Sequence, residues 1–301
     1  MRCPNCKSSN IVLKGKRRNK QSIVQRYFCN GCGRYFSSSK LKGYFYNPKI
    51  VVSALALYNQ AYTLNEVSRV INRKFKVRTS SQTVHSWIEK FRDVCLYKSD
   101  SKDVIVSRLF KHHGLTYNFA YHKEKLDKAG FKWLAFYIKK FEREQPPSEY
   151  FDSERCSQLR LKVGVRRDCR RNWACRLAEF ALKGAEDNCE RHGLVESFML
   201  AGDKCTVAVE VPVWFWEKKL GLGVCGHIDI LQVRNGMVYV LDYKPDAAKV
   251  KEVASQLYLY ALGLSLRTRI GLGKFRCAWF DADDYFEFEP AEARVEWSKG
   301  R

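Results

Sequence analysis

Asp229, Asp242 and Lys244 are the side chains whose types and spacing in this sequence most readily do chemistry. They flank Asn235-Gly236, the strongest short-range signal for a two-residue hairpin turn. With such a turn Arg234 faces Met237, and counting outward in step brings Asp229 opposite Asp242. Their Cβ atoms then lie about 4.5–5.5 Å apart on one face, and Lys244, two residues past Asp242, shares it. A slip of one residue would send Asp229 to the other face. Two carboxylates this close repel unless a cation sits between them, and oxygen ligands on a stiff hairpin suit Mg2+ or Mn2+. Water bound there could be deprotonated to attack a phosphodiester, with Lys244 orienting it or stabilising charge on the phosphate.

A second set of residues points to a different metal. Cys3-Pro-Asn-Cys6 and Cys29-Asn-Gly-Cys32 are two Cys-x2-Cys pairs separated by 22 residues. Two residues between thiolates let both reach one tetrahedral ion, and two such turns close the site. With no open position evident the ion is expected to be structural zinc, supplying folding energy that about 40 residues lack otherwise. Iron would accept the same ligands; the basic setting favours zinc. The other eight cysteines are scattered and read as buried free thiols, not as a disulfide scaffold.

The elements that must position these groups follow from periodicity. Val207, Val209, Val211 and Val213 alternate as in a half-buried strand, and residues 223–234 and 237–244 form the hairpin arms. Gln256 and Tyr260, four apart, share one face of the helix that comes next. Nearer the N-terminus, three helical patterns run through residues 48–91. Thr63-Leu-Asn-Glu66 and Thr79-Ser-Ser-Gln82 have the form of capping boxes. Two capped helices joined by a short basic turn fit a helix-turn-helix, in which the start of the last helix meets base edges. Gln82, Thr83 and His85 are the expected base contacts. Lys16, Arg17 and Arg18, in a basic hairpin tip, are also expected to bind DNA.

The 301 residues carry a net charge of +22, placed unevenly. Residues 1–100 hold 20 basic and 4 acidic side chains (net +16), whereas the other 201 hold 34 and 28 (net +6). So lopsided a field suits a polyanion, since neutralising phosphates releases their condensed counterions. DNA is the expected partner. No apolar run approaches the roughly 18 residues of a membrane span, and the start lacks a signal peptide's apolar stretch. The expectation is an intracellular, cytoplasmic, DNA-associated protein with no membrane partner. Its oligomeric state is left open, a homodimer included.

Two resemblances sharpen these expectations. Gln25-Arg-Tyr-Phe28 leading into Cys29-Asn-Gly-Cys32-Gly-Arg34-Tyr-Phe36 resembles the zinc ribbon that opens many insertion-sequence transposases, and the helices after it resemble their helix-turn-helix. Gly226-His-Ile-Asp229, Leu241-Asp242-Tyr-Lys244 and Gln256-Leu-Tyr-Leu-Tyr260 resemble the PD-(D/E)XK nucleases, specifically the RecB-like branch. This likeness implies Asp229 and Asp242 as metal ligands, Lys244 as catalytic, and Gln256 and Tyr260 as accessory. It also implies an acidic residue on a preceding helix, for which Glu196 is chosen over Glu179, Glu190 and the strand residue Glu210. The expected fold is multidomain α+β. It comprises a zinc ribbon (1–40), a three-helix helix-turn-helix (46–97), a helical linker (98–170) and a restriction-endonuclease-like core (171–301), its mixed sheet flanked by helices. The implied activity is Mg2+- or Mn2+-dependent DNA hydrolysis. The rivals are a mobile-element transposase and a transposase-derived DNA binder without nuclease activity. The first is disfavoured because only 72 residues follow Asp229, too few to space a transposase's remaining carboxylates.

Overall fold

The computed structural model describes every residue except 1, 4, 19–22, 38–45, 160, 165–167, 170–171, 251 and 297–301. The side chains of 17, 18, 23, 24, 168 and 169 also lie outside the description. β1 (Ile11–Arg18), β2 (Ile23–Cys29) and β3 (Arg34–Ser37) form a three-stranded antiparallel sheet carrying the four N-terminal cysteines. The basic run expected at a hairpin tip lies within β1, where Lys16 pairs with Gln25, Arg17 with Val24 and Arg18 with Ile23. Gly15, at φ 72°, takes up the irregularity where the register shifts between Leu13 and Lys16.

Three helices follow: α1 (Pro48–Asn59), α2 (Leu64–Phe75) and α3 (Ser81–Lys90). The Thr63–Glu66 capping box forms at the start of α2. The second box does not. Ser80, not Thr79, caps α3, its Oγ accepting the Thr83 N–H at 3.1 Å. Thr79 is engaged elsewhere: Asn72 Oδ1 accepts from its N–H at 2.7 Å and from its hydroxyl at 2.9 Å, locking the turn between α2 and α3.

Residues 98–170, expected as a helical linker, are helical only in part. β4 (Ile105–His112) and β5 (Leu115–His122) form a hairpin joined to the main sheet through Ala120 and Tyr121. Aromatic and β-branched residues in that stretch fit a strand as well as a helix, and pairing with the sheet decided between them. After it come α4 (Lys123–Lys128), α5 (Lys132–Lys140), α6 (Ser148–Phe151), β6 (Glu154–Arg155), β7 (Lys162–Gly164) and β8 (Asp168–Cys169). The chain continues through α7 (Trp173–Ala181), α8 (Arg191–Gly202), β9 (Thr206–Glu217), β10 (Leu222–Arg234) and β11 (Met237–Tyr243). It closes with α9 (Val253–Thr268), β12 (Phe275–Phe280), β13 (Tyr285–Phe288) and β14 (Arg294–Glu296).

The main sheet runs β4-β5-β9-β10-β11-β12-β13-β8, with β6 added parallel to β10. It is mixed: β11 and β12 are parallel because α9 carries the chain back between them, while β9, β10 and β11 are antiparallel neighbours. Helices cover both faces. Leu257, Ala261 and Leu264 of α9 pack with Val213, Val238 and Val240 on one side. Val195, Phe198 and Met199 of α8 pack with Ile230, Leu241 and Tyr243 on the other. β9 is therefore buried on both faces, not half-buried as the valine alternation suggests. Leu55 of α1 and Trp87 of α3 belong to the same apolar cluster as α8, and Phe91 meets Phe180 at 4.8 Å. The three N-terminal helices thus share a core with the sheet domain. No helix among the described residues is long and apolar enough to cross a membrane.

Glu66 ties the capping box to the loop after α3. Its Oε2 accepts from the Thr63 N–H at 2.9 Å and its Oε1 pairs with Lys102 Nζ at 2.6 Å. Lys102 and the Thr63 donors hold its carboxyl down at about 2. A lowered carboxyl contributes stability above its unfolded range and loses it as pH falls through its folded value. Glu66→Gln should therefore melt a few degrees below the parent chain at pH 7. The gap should close between about pH 4.5 and pH 2 in thermal unfolding followed by circular dichroism.

Candidate active site

β10 and β11 pair from Arg234–Met237 to Ile230–Leu241, the register of a two-residue turn. Asn235 and Gly236 adopt φ of 52° and 68°, as a type I′ turn demands. Asp229 and Asp242 stand one step further along that register, near the end of β11, where the hairpin opens. Asp242 is fully buried. Lys244 Nζ approaches its Oδ1 to 2.8 Å as an ion pair, and among the described residues neither oxygen has a well-formed hydrogen bond.

Glu196 enters from α8, 5% exposed, its Oε1 likewise without a donor among the described residues. Ligand atoms of His192, Glu196 and Asp229 lie within 4.8 Å of one another, a set that could hold a metal ion. His192 Nδ1 is 3.7 Å from Asp229 Oδ2, and its ring meets Tyr243 edge-on at 5.0 Å. The i, i+4 spacing of His192 and Glu196 places both on one face of α8. That spacing was a usable signal, and sequence reasoning missed the histidine. Two of the rejected glutamates are occupied elsewhere: Glu179 binds Arg176 at 3.1 Å and Lys183 at 3.4 Å, and Glu190 binds Lys49 at 2.6 Å.

Glu210 joins from the other side. β9 pairs with β10 through Val211–Ile228 and Val209–Ile230, so Glu210 faces Asp229. Its φ of 49° is left-handed, a conformation that costs a residue with a side chain about 1–3 kcal/mol. Val209 packs with the α8 layer and Val211 with the α9 layer, although residues two apart in a regular strand share a face. The strand is turned over at Glu210. Nothing in the alternation of valines announces this.

The electrostatics divide the carboxyls into one ionised and three reluctant. Burial, then the charge of Asp229, raises Asp242 well above the carboxylate range, against the pull of Lys244. Burial and the charges of Glu210, Asp229 and Asp242 raise Glu196 likewise. Burial and Asp229 push Glu210 up to about 8. Burial opposes ionisation of Asp229 as well, but bonding to His192 and Asp242, with the charge of Lys244, holds it below its ordinary value. Burial alone would discharge Lys244; the charges of Asp242 and Asp229 outweigh it and raise its ammonium. Such a group coexists by sharing protons or by surrounding a cation.

Gln256 and Tyr260 lie behind the carboxyls on α9, the Gln256 amide donating to Tyr260 Oη at 2.8 Å. Burial, then Cys156, Asp229 and Asp242, raises the Tyr260 phenol. A Cβ at Gly226 would stand 2.4 Å from Tyr260 Cε1, so the missing side chain lets the ring lie against β10.

In the N-terminal unit, Cys3 and Cys32 bring their sulfurs to 3.6 Å, and Cys6 and Cys29 theirs to 3.5 Å. Tetrahedral zinc with Zn–S near 2.3 Å needs edges of about 3.8 Å, so the cluster fits the ion. The backbone N–H groups of Cys6 and Asn5 draw the Cys3 thiol down to about 6 against the effect of burial. Of the expected DNA contacts, Gln82 and His85 are exposed on α3, and Thr83 is half-buried with its hydroxyl 3.0 Å from Ser80 Oγ. Lys16 is exposed on β1, while the side chains of Arg17 and Arg18 lie outside the described residues. No protein-family model, curated protein or solved structure matches this chain.

Gly226→Ala should destabilise the chain by about 1–3 kcal/mol, the usual range for overpacking. In a Tyr260→Ala background the same change should cost less, giving a coupling of at least about 0.5 kcal/mol in urea titrations of the four proteins. Additive effects would mean that the ring does not press on that strand.

Proposed function

We propose that this chain is a DNA-binding, divalent-cation-dependent nuclease that hydrolyses phosphodiester bonds. The observation that carries the reading is the convergence of Glu196, Asp229, Asp242 and Lys244, with both Asp242 oxygens buried and short of donors. Glu196 and Asp229, clustered with His192, together with Asp242 on the facing strand, would hold Mg2+ or Mn2+. Bound there, such an ion supplies positive charge against a phosphate and acidifies a coordinated water. Lys244, kept charged by the two aspartates, can donate a hydrogen bond to the attacking water or a phosphate oxygen. Glu210, facing Asp229 from β9 and outside that ligand set, offers an acceptor for the proton that hydrolysis releases. Gln256 and Tyr260 fix the helix behind the site and keep water from its rear wall.

In this reading β1–β3 is a zinc ribbon and α1–α3 a helix-turn-helix presenting Gln82, Thr83 and His85 to bases, with Lys16, Arg17 and Arg18 on phosphates. β9–β12 with α8 and α9 form a restriction-endonuclease-like core. The N-terminal net charge of +16 over 100 residues supports a DNA partner.

With plasmid DNA and magnesium or manganese, Asp242→Ala and Lys244→Ala should each lose about 100-fold or more in cleavage rate. Both should retain DNA affinity in a gel-shift assay. Equal cleavage by all three proteins overturns the assignment, and products joined to new ends instead of hydrolysed would favour a mobile-element transposase. Zinc measured by plasma mass spectrometry should be one ion per chain, and Cys29→Ser should lose it along with DNA affinity.

A further inference from the structure

Away from the carboxyls, a second surface combines exposed rings with cations. Trp133 and Phe136 on α5 are 57% and 68% exposed and meet edge-on at 6.3 Å. The Arg269 guanidinium lies over the Trp133 ring at 5.5 Å. Two residues earlier on α9, Arg267 stacks over Trp214 at 4.2 Å, where Lys140 of α5 also reaches the ring at 4.8 Å. Arg267 and Trp214 line a cleft of ≈ 470 Å³ that continues to Trp216, itself 63% exposed. Rings and cations thus alternate along one path from α5, across the end of α9, to the exposed end of β9.

We propose that this path is a binding track for single-stranded DNA, its bases stacking on Trp133, Phe136 and Trp216 and its phosphates meeting Arg267, Arg269 and Lys140. Every base has a flat face, so stacking on aromatic rings combined with a cationic track binds single strands with little regard to sequence. A second copy of the chain is the poorer occupant, because a two-fold interface would set these same cations against themselves. Glu149 and Asp152 line the same cleft as Arg267, and their charge favours phosphates on the α5–α9 side of it. The choice of ligand rests on the nucleic-acid reading above but not on cleavage.

The test uses the full-length chain carrying Asp242→Ala, so that the probe is not cut, and a fluorescent 15-mer of thymidine followed by anisotropy. Adding Trp133→Ala and Phe136→Ala together should weaken oligonucleotide binding at least tenfold and leave a blunt duplex bound within twofold. Both side chains are exposed, and an unchanged melting temperature will show that the fold is intact. Unchanged oligonucleotide affinity overturns the track. So does a parent chain that is dimeric by light scattering and made monomeric by the two substitutions, which would make the patch a subunit interface. Binding to phosphatidylserine vesicles in place of the oligonucleotide would overturn it as well. A chain that cuts DNA normally but fails here keeps the nuclease reading and loses only this one.

Discussion

Several acidic groups are forced into one small buried space, and much of the surrounding structure exists to keep them there. Two unit charges about 5 Å apart repel by about 3 kcal/mol at an effective dielectric constant of 20, and here three other carboxyls press on Asp229. Hydrophobic collapse alone would push such groups outward to water. They stay because each is carried by an element with its own apolar reason for its position. Asp229 and Asp242 ride a hairpin fixed by its turn, Glu196 a helix buried against the sheet, and Glu210 a strand locked between two neighbours. The scaffold opposes the repulsion, and a shared proton or a cation relieves it.

That arrangement depends on the sheet being covered on both faces. α9 closes one side and sets Tyr260 against Gly226, behind the aspartates. α8 closes the other and delivers His192 and Glu196 from one helical face. The left-handed residue at Glu210 turns β9 over, so that its neighbours Val209 and Val211 serve different layers. Strain at that position is compensated by core packing on either side, the usual circumstance in which such a conformation persists.

The three N-terminal helices are part of the same construction. Leu55, Trp87 and Phe91 share an apolar cluster with α7, α8 and the sheet, and Arg176 of α7 binds Asp93 at 2.9 Å. A rigidly mounted helical unit holds whatever it binds at a set distance and angle from the carboxyls. A unit on a loose linker would not.

The features legible in the residues were local ones. Asn235-Gly236 alone sets the hairpin register that aligns Asp229 with Asp242, because a two-residue turn leaves no freedom in pairing. Two Cys-x2-Cys pairs specify a four-sulfur site, since the tight turn between each pair already points both thiols one way. Thr63 and Glu66 announce the start of α2 for the same reason. Three things were decided only in three dimensions. β4 and β5 read as helix until a sheet edge was available to pair with them. Thr79 lost the cap of α3 to Ser80 because Asn72, on another helix, claims its hydroxyl. Glu210 entered the carboxyl cluster through a backbone inversion that no periodicity encodes, and His192, though its spacing from Glu196 was legible, was brought to Asp229 only by the docking of α8. Turns and short ligand spacings are written in adjacent residues, whereas pairing partners and buried charge neighbours are set by chain segments far apart in sequence.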